Sequence, residues 1–240
     1  MRDLAELTCP DDSRFRARVE TAKGVIVVTP RDPEKKLRLP FSDIADIRRA
    51  ADEEEADACF VYLKKGGEYR FCFKHPEESV PALLAEYAGL TPEETVCYIS
   101  REKSQAVASG ADEIVITADT MVFLDDKKLG KPADEAEALA MLNALQGRHH
   151  TVCTGVTVRQ GQRALTRAQT TDVYFRRAAE KELRAYIAGG EPMDKAGAYG
   201  VQGQGALLVE RIDGDFFNVM GLPVVLLSEM LKEFGVTLLG

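Results

Sequence analysis

The chain has 240 residues, enough for one large domain or two small ones with a buried core. Its net charge of -8 argues against polymeric nucleic acid or a membrane surface as a partner, because such binders carry basic surfaces. No apolar run is long enough to span a membrane, and the polar start MRDLAELTCPDD predicts no signal peptide. Five scattered cysteines without metal-ligand spacing predict reduced thiols in a cytoplasmic protein, and a zinc site is not expected.

Residues 1–90 are predicted to form a small β-rich domain closed by a helix. Alternating residues around a Gly-Gly centre predict a hairpin of strands 58–63 and 69–73. The segment PEES, with acids in its first turn, predicts the start of the closing helix at Pro76. The pattern resembles a pleckstrin-homology-like domain of the GRAM-like sort, which implies no chemistry. We expect an accessory or dimerisation module. The other predicted strands cover residues 15–21, 25–29 and 37–41.

Strands and helices alternate over residues 91–240, which predicts an α/β domain. Thr91, Pro92 and Glu94 have the spacing of an N-cap, a first helical residue and a capping-box partner, so a helix should begin there. A second helix should begin at Asp134. The later predicted helices cover 179–188 and 223–234, and the later strands cover 151–158, 163–175 and 206–211.

The stretch IVITADTMVFLDDKKLGKP, residues 114–132, has the strongest local signal. It predicts a buried strand that delivers Asp119 to its carboxyl end, a second strand over 121–124, and a hairpin that returns Lys131. In open α/β sheets ligands bind at the carboxyl ends of strands, so a phosphate and its metal could bind there. The residues alone leave a second interpretation open, in which Asp119 caps a turn and Lys131 lies on a solvated loop.

Six separate motifs then occur in a fixed order. They are REK at 101–103, ADT at 118–120, GKP at 130–132, QGRHHTVCTG at 146–155, GEPMDKAGAYGVQG at 190–203 and GDFFNVMGLP at 214–223. On these motifs the chain resembles the Maf family of nucleotide pyrophosphatases, also called septum formation inhibitor proteins, from about residue 91 to its end. The resemblance implies a mixed sheet with flanking helices, of the Maf/ITPase-like α/β kind.

The resemblance also implies a reaction. The family hydrolyses a nucleoside triphosphate between its α and β phosphates, giving a monophosphate and pyrophosphate, with a divalent cation, commonly Mg²⁺ or Mn²⁺. Asp119 matches the family's catalytic carboxylate, which holds a metal or takes a proton from water. Lys103, Lys131 and Lys195 match its phosphate-contacting lysines. Glu191 is a further candidate metal ligand.

Two positions match those that the family ties to base selection. Thr120 and Gln202 are similar to the subgroup that acts on dTTP and UTP, rather than to the subgroup that acts on 7-methyl-GTP. A glutamine side chain carries both a donor and an acceptor, so it can pair with a pyrimidine edge. The expected substrates are therefore dTTP, UTP or modified pyrimidine nucleotides.

One family feature is absent. No Ser-x-Ser-Pro-Arg-Arg signature precedes residue 91, so we expect the Maf-like domain to lack its first strand–helix unit, and a lysine does not replace the planar fork of the arginines. The missing strand should leave an exposed sheet edge. Two hypotheses follow: an active pyrophosphatase, or a catalytically weak nucleotide-binding or regulatory protein that acts through its β-rich module. A homodimer stays open in both.

Overall fold

A computed structural model describes residues 2–10, 14–22, 25–30, 37–41, 44–49, 58–64, 68–73, 76–87, 89–125 and 127–240. The chain divides into two compact units, Met1–Thr91 and Pro92–Gly240. Within the described ranges, no helix is long and apolar enough to cross a membrane.

In its described residues, the first unit forms an antiparallel sheet of seven strands with one helix. Its elements are β1 Arg2–Thr8, β2 Arg14–Ala22, β3 Val25–Pro30, β4 Leu37–Pro40, β5 Ile44–Arg49, β6 Ala58–Leu63, β7 Glu68–Phe73 and α1 Pro76–Tyr87. The sheet order is β4-β3-β2-β1-β7-β6-β5. The predicted β-rich domain with a closing helix is therefore confirmed.

Local pattern explains most of this unit but not all of it. Strands β6 and β7 pair antiparallel as the hairpin pattern predicted, although the Gly-Gly centre itself lies outside the described residues. Strand β1 was not predicted, because its buried apolar face consists of two described residues. Ala5 and Leu7 face the core while Glu6 between them is exposed, and pairing with both β2 and β7 stabilises the strand.

The second unit combines a sheet with flanking helices. Its elements are α2 Pro92–Ala106, β8 Ile114–Leu124, β9 Lys127–Leu129, α3 Glu135–Leu145, β10 His149–Gln160, β11 Arg163–Phe175, α4 Glu180–Ala188, β12 Val209–Asp213, α5 Phe216–Val219 and α6 Val224–Lys232. The described sheet has five strands in the order β12-β11-β10-β8-β9, and every pairing within it is antiparallel. The predicted α/β domain is thus confirmed.

Strand β8 corrects one prediction. The expected strand end at Asp119 and the separate strand over 121–124 do not exist, because β8 runs unbroken through both. Residues 114–123 of β8 pair with β10, with Asp119 opposite Gly155 and Thr120 opposite Thr154. This continuous ladder satisfies the backbone, so the polar residues do not end the strand. Asp119 therefore lies in mid-strand.

Because β8 is continuous, its successive side chains point alternately to the two faces of the sheet. The side chains of Thr117 and Asp119 contact helix α2, since Thr117 Oγ1 donates to the carbonyl of Ser100 and Asp119 accepts from Lys103. Thr120, between Asp119 and Met121, faces the other side, where it contacts Thr154. The ADT motif thus places its acid and its hydroxyl on different faces of one sheet.

Helix α2 lies unusually close to the sheet at Gly155. A Cβ added to this glycine would lie 2.6 Å from the backbone nitrogen of Cys97 and closer still to the carbonyl of Val96. Only a residue without a side chain allows this approach. Because Gly155 pairs with Asp119, the contact also sets the height of the helix above the acid.

The opposite face carries the larger apolar core. Strand residues pack there against α3 and α4, and α6 packs further along β10. The N-cap of α3 is Asp134, whose carboxylate accepts from the backbone N–H of Glu137 at 2.9 Å, as predicted. The main buried residues of this core are Val122, Leu142, Leu145, Val152, Val173, Phe175 and Leu183.

Candidate functional site

Asp119 and Lys103 form an ion pair on the α2 face of the sheet. Lys103 Nζ donates to Asp119 Oδ1 at 2.9 Å, and the two side chains are only 24% and 13% exposed. The other carboxylate oxygen, Asp119 Oδ2, is buried and has no hydrogen-bond partner. A buried acceptor without a partner is costly unless something binds to it. Oδ2 is therefore the atom of this pair that is available to a cation or to a water proton.

A cleft of about 210 Å³ opens on the other face of the sheet. Four predicted site residues line it: Lys131, Lys195, Thr120 and Gln202. The carboxylate-bearing Asp194 also lines it, and apolar and backbone groups complete the wall, among them Val122, Val152, Tyr199, Gly200, Met220 and Gly221. Two cationic groups and two neutral polar groups around an apolar floor suit a ligand that is part anion and part flat ring.

A backbone contact brings the two lysines together. The N–H of Gly197 donates to the carbonyl of Gly130 at 3.1 Å, so the turn before Lys131 is tied to the turn after Lys195. Gly197 has a φ of 71°, and a Cβ there would lie 3.1 Å from Val122 Cγ1. A glycine is needed at that position for both reasons.

Lys195 already has an anionic partner beside the cleft. Its Nζ donates to both carboxylate oxygens of Asp194, at 2.7 and 2.8 Å. Hydrogen bonding to Lys195 lowers the pKa of the Asp194 carboxyl, which is therefore anionic at neutral pH. An incoming phosphate must compete with Asp194 for the lysine.

The hydroxyl of Thr120 belongs to a buried polar chain. Thr120 Oγ1 lies 2.9 Å from Thr154 Oγ1, which in turn donates to the backbone carbonyl of Asn218 at 3.0 Å. Asn218 donates through Nδ2 to Val152 O at 3.1 Å and to Thr171 Oγ1 at 2.9 Å. The motifs around Thr154 and Asn218 thus meet directly behind Thr120.

The Glu191 carboxylate binds the loop that follows Gln202. Its carboxylate accepts from Tyr186 Oη at 3.0 Å and from the backbone N–H groups of Gln204 and Gly205, at 2.8 and 3.1 Å. Although burial raises it, these backbone bonds bring the pKa of the Glu191 carboxyl below its ordinary value. Glu191 does not line the cleft. The contacts favour a role in holding the loop after Gln202, and the metal-ligand role remains a prediction.

A histidine–tyrosine pair lies behind the cleft, and sequence reasoning did not connect its two members. His150 Nε2 lies 2.8 Å from Tyr199 Oη, and both rings pack edge-on against Phe175. Burial lowers the pKa of His150 to about 4. The imidazole is therefore neutral at physiological pH and supports the cleft wall at Tyr199. The HH dipeptide was the only sequence signal for it.

The residues present fit a cation that arrives with its substrate. Across the described parts of the chain, no three His, Cys, Asp or Glu residues form a metal-binding group. Mg²⁺ commonly uses one or two carboxylates and takes its remaining ligands from phosphates and water. Oδ2 of Asp119, which has no hydrogen-bond partner, is a carboxylate oxygen that can serve as such a ligand.

The predicted site residues thus fall into two groups. Lys103 and Asp119 lie on the α2 face, and Lys131, Lys195, Thr120 and Gln202 surround the cleft on the other face. Strand β8 carries a member of each group, Asp119 and Thr120. On its outer edge β9 pairs only with residues 122–124, and no described strand pairs with residues 114–121.

This arrangement is that of an α/β protein with a cleft for a small anionic ligand, and comparison with known proteins gives the family. The model of the Maf-like protein family matches residues 62–234. The match covers most of the chain, and the chain belongs to the Maf-like family.

Relatives with assigned names agree with this membership. A protein of Bacillus velezensis named dTTP/UTP pyrophosphatase is 50% identical over 148 residues, which cover 61% of this chain and 78% of that protein. One of the same name from Exiguobacterium sibiricum is 50% identical over 163 residues, which cover 67% of this chain and 83% of that protein. A solved C-terminal domain of an unknown protein from Leishmania infantum covers 36% of this chain and 80% of its own, at 11% identity and a TM-score of 0.31, too slight a likeness to support an argument.

Proposed function

We propose that this protein is a nucleoside triphosphate pyrophosphatase that acts on dTTP, UTP or modified pyrimidine triphosphates. The observation that carries the proposal is the cleft, which joins Lys131 and Lys195 to Thr120 and Gln202 in a chain of the Maf-like family. Two lysines offset the charge of a triphosphate, and the two neutral side chains face the space left for its base. The names of the relatives support the same substrates.

In the proposed reaction a water oxygen attacks the α-phosphorus, and the bond from that phosphorus to the bridging oxygen breaks. Pyrophosphate leaves and the nucleoside monophosphate remains. Asp119 Oδ2 accepts the proton of the attacking water, while Lys103 fixes the carboxylate through Oδ1. Because the two groups of residues lie on opposite faces, the triphosphate must pass around the open edge of β8 to reach from the cleft to Asp119.

We propose a divalent cation, Mg²⁺ or Mn²⁺, as the cofactor. Phosphate oxygens and water would be its main ligands, and Asp119 would hold it where Oδ2 binds the cation in place of the water proton. When bound, the cation would neutralise charge on the phosphates. Glu191 as a second ligand is the less favoured alternative, because its oxygens already accept three hydrogen bonds.

Residues 91–240 would carry the chemistry as a Maf-like domain, and residues 1–90 would serve as an accessory module. A cytoplasmic location and a homodimer stay predictions.

The direct test is a product assay. The purified chain is incubated with dTTP, UTP, CTP and 7-methyl-GTP in the presence of Mg²⁺ or Mn²⁺, and pyrophosphate and inorganic phosphate are measured separately. We expect equimolar monophosphate and pyrophosphate from dTTP and UTP, and loss of turnover with EDTA. Nucleotide binding without any turnover would overturn the enzyme and favour the regulatory alternative.

A further inference from the structure

We propose that Thr154 is a positioning residue that makes the Thr120 hydroxyl a hydrogen-bond acceptor towards the cleft. The cleft would then select bases that carry a proton on N3, namely uracil and thymine, over cytosine. The inference rests on the proposed function, since it concerns the base of the same substrate. It assigns a role to a buried residue that does not touch the ligand.

The direction of the hydrogen bonds follows from the partners. The backbone carbonyl of Asn218 can only accept, so the hydroxyl proton of Thr154 is committed to it, at 3.0 Å. A hydroxyl has one proton and two lone pairs. The 2.9 Å contact between Thr154 and Thr120 must therefore be donated by Thr120.

The chain cannot easily reverse, because its far end is fixed. Asn218 is fully buried and uses both amide protons, one on Val152 O and one on Thr171 Oγ1. Thr171 Oγ1 donates to the carbonyl of Asp215 and accepts from its N–H. The other acceptor within reach of the Thr154 proton is Thr120 Oγ1. If Thr154 donated to Thr120 instead, two oxygens would face each other at 3.0 Å, between Thr154 and Asn218, with no proton between them.

Thr120 therefore offers the cleft only lone pairs. Its side chain lines the cleft, and the space beside the oxygen is open because residue 221 is a glycine. A Cβ on Gly221 would lie 3.3 Å from Thr120 Oγ1, and the φ of 104° at this position disfavours any other residue.

An acceptor at this point distinguishes the pyrimidines. Uracil and thymine carry a hydrogen on N3, which can donate to Thr120, whereas N3 of cytosine is itself an acceptor. The side-chain amide of Gln202, on the same cleft, can donate to a ring carbonyl of uracil or thymine. To bind cytosine, Thr120 would have to turn its proton into the cleft and leave the fully buried Thr154 oxygen without its donor. Such a loss corresponds to a preference of about tenfold to a hundredfold.

The test is the ratio of kcat/KM for UTP to that for CTP, in wild type, Thr154→Val and Thr154→Ser. Valine keeps the shape but removes the acceptor, so the Thr120 proton is released and we expect the ratio to fall at least fivefold. Serine keeps the hydroxyl and should keep the ratio. A merely structural role would lower both rates and leave the ratio unchanged. Wild type should also reject UTP methylated on N3, a measurement that needs no variant.

The outcomes separate the two proposals. Three results would overturn the inference and leave the pyrophosphatase function standing. Wild type could hydrolyse UTP and CTP equally well, or it could accept N3-methylated UTP. The third is a Thr154→Val variant with the same UTP-to-CTP ratio of kcat/KM as wild type. If no triphosphate is hydrolysed, the proposed function fails, and the Kd values of α,β-methylene UTP and CTP decide the inference. Equal Kd values overturn it, and a UTP preference that Thr154→Val abolishes supports it.

Discussion

Lys103 Nζ lies 2.9 Å from Asp119 Oδ1, and the second oxygen of that carboxylate is buried without a partner. Helix α2 supplies the lysine and the middle of β8 supplies the acid. The ion pair holds one oxygen and leaves the other for chemistry. Both side chains are largely buried, so loss of either partner alone would leave an uncompensated charge in the protein.

Removal of the Asp194 charge should strengthen triphosphate binding. In Asp194→Asn, Lys195 loses the carboxylate that it now contacts through both oxygens, so phosphate no longer has to displace it. We expect KM for UTP to fall about threefold at low salt and the difference to shrink at 0.5 M salt, where exposed charges are screened. Steady-state kinetics at both salt concentrations measures this.

The matched control for this change is Glu180→Gln, which breaks an exposed ion pair with Arg184 on helix α4. It should leave KM unchanged. If Asp194→Asn instead raises KM and extra Mn²⁺ restores it, Asp194 is a cation ligand and not a competitor of phosphate.

Substitution of Gly155 should separate the α2 helix from the sheet. The methyl group of Gly155→Ala would overlap the backbone of Val96 and Cys97. We expect the free energy of unfolding to fall by about 1–3 kcal/mol, as in other overpacked cores, and turnover to fall with it because Lys103 moves from Asp119. Urea unfolding and UTP hydrolysis report the two effects.

Gly110→Ala provides the comparison for Gly155. The added methyl there would meet only the Glu113 side chain at an ordinary 3.6 Å. Wild-type stability and activity in both alanine variants would show that the close approach at Gly155 is not required.

The buried His150 should make stability depend on pH. Its pKa is about 4 in the folded protein, because of burial, and about 6.5 when unfolded. The unfolded chain therefore binds more protons between these values, and the stability is present above pH 6.5 and lost as pH falls towards 4. The loss from this residue is at most about 3 kcal/mol.

Urea unfolding at pH 7.5 and pH 5 checks this expectation. His150→Phe should be less stable at pH 7.5, since Tyr199 loses its partner, but should lose less on acidification than wild type. His149→Asn, at the exposed neighbour, should retain the wild-type pH dependence. An equal acid loss in wild type and His150→Phe would refute the assignment.

Substitution of Glu191 should distinguish a loop-holding residue from a metal ligand. Glu191→Gln weakens the bonds from Tyr186, Gln204 and Gly205, so we expect stability to fall by about 1–3 kcal/mol. The Mn²⁺ concentration for half-maximal turnover should stay unchanged. An increase of tenfold or more in that concentration would support the metal-ligand role.

Local chemistry made part of this structure predictable. The N-cap at Asp134 and the start of α2 at Pro92 follow from residues within one turn, and the hairpin of β6 and β7 follows from its alternation. The cleft residue Lys131 was a candidate from the hairpin pattern as well as from motif resemblance, whereas Lys195 was reached through motif resemblance alone.

Contacts between distant segments were not predictable in the same way. The Asp-Thr pair was interpreted as a strand end, and only the pairing with β10 makes β8 continuous and divides Asp119 from Thr120. The bond from Thr154 to Asn218 joins residues 64 positions apart. Nothing within either motif indicates that partner.

The central claim is that Asp119 is the catalytic carboxylate of a pyrimidine nucleoside triphosphate pyrophosphatase. The most direct measurement is pyrophosphate release from UTP with Mn²⁺ by wild type and by Asp119→Asn, with circular dichroism as the check of folding. Asparagine keeps the shape but cannot take a proton, so we predict a fall in kcat of about a hundredfold to ten-thousandfold with the fold retained. A folded Asp119→Asn variant that releases pyrophosphate at the wild-type rate would contradict the claim.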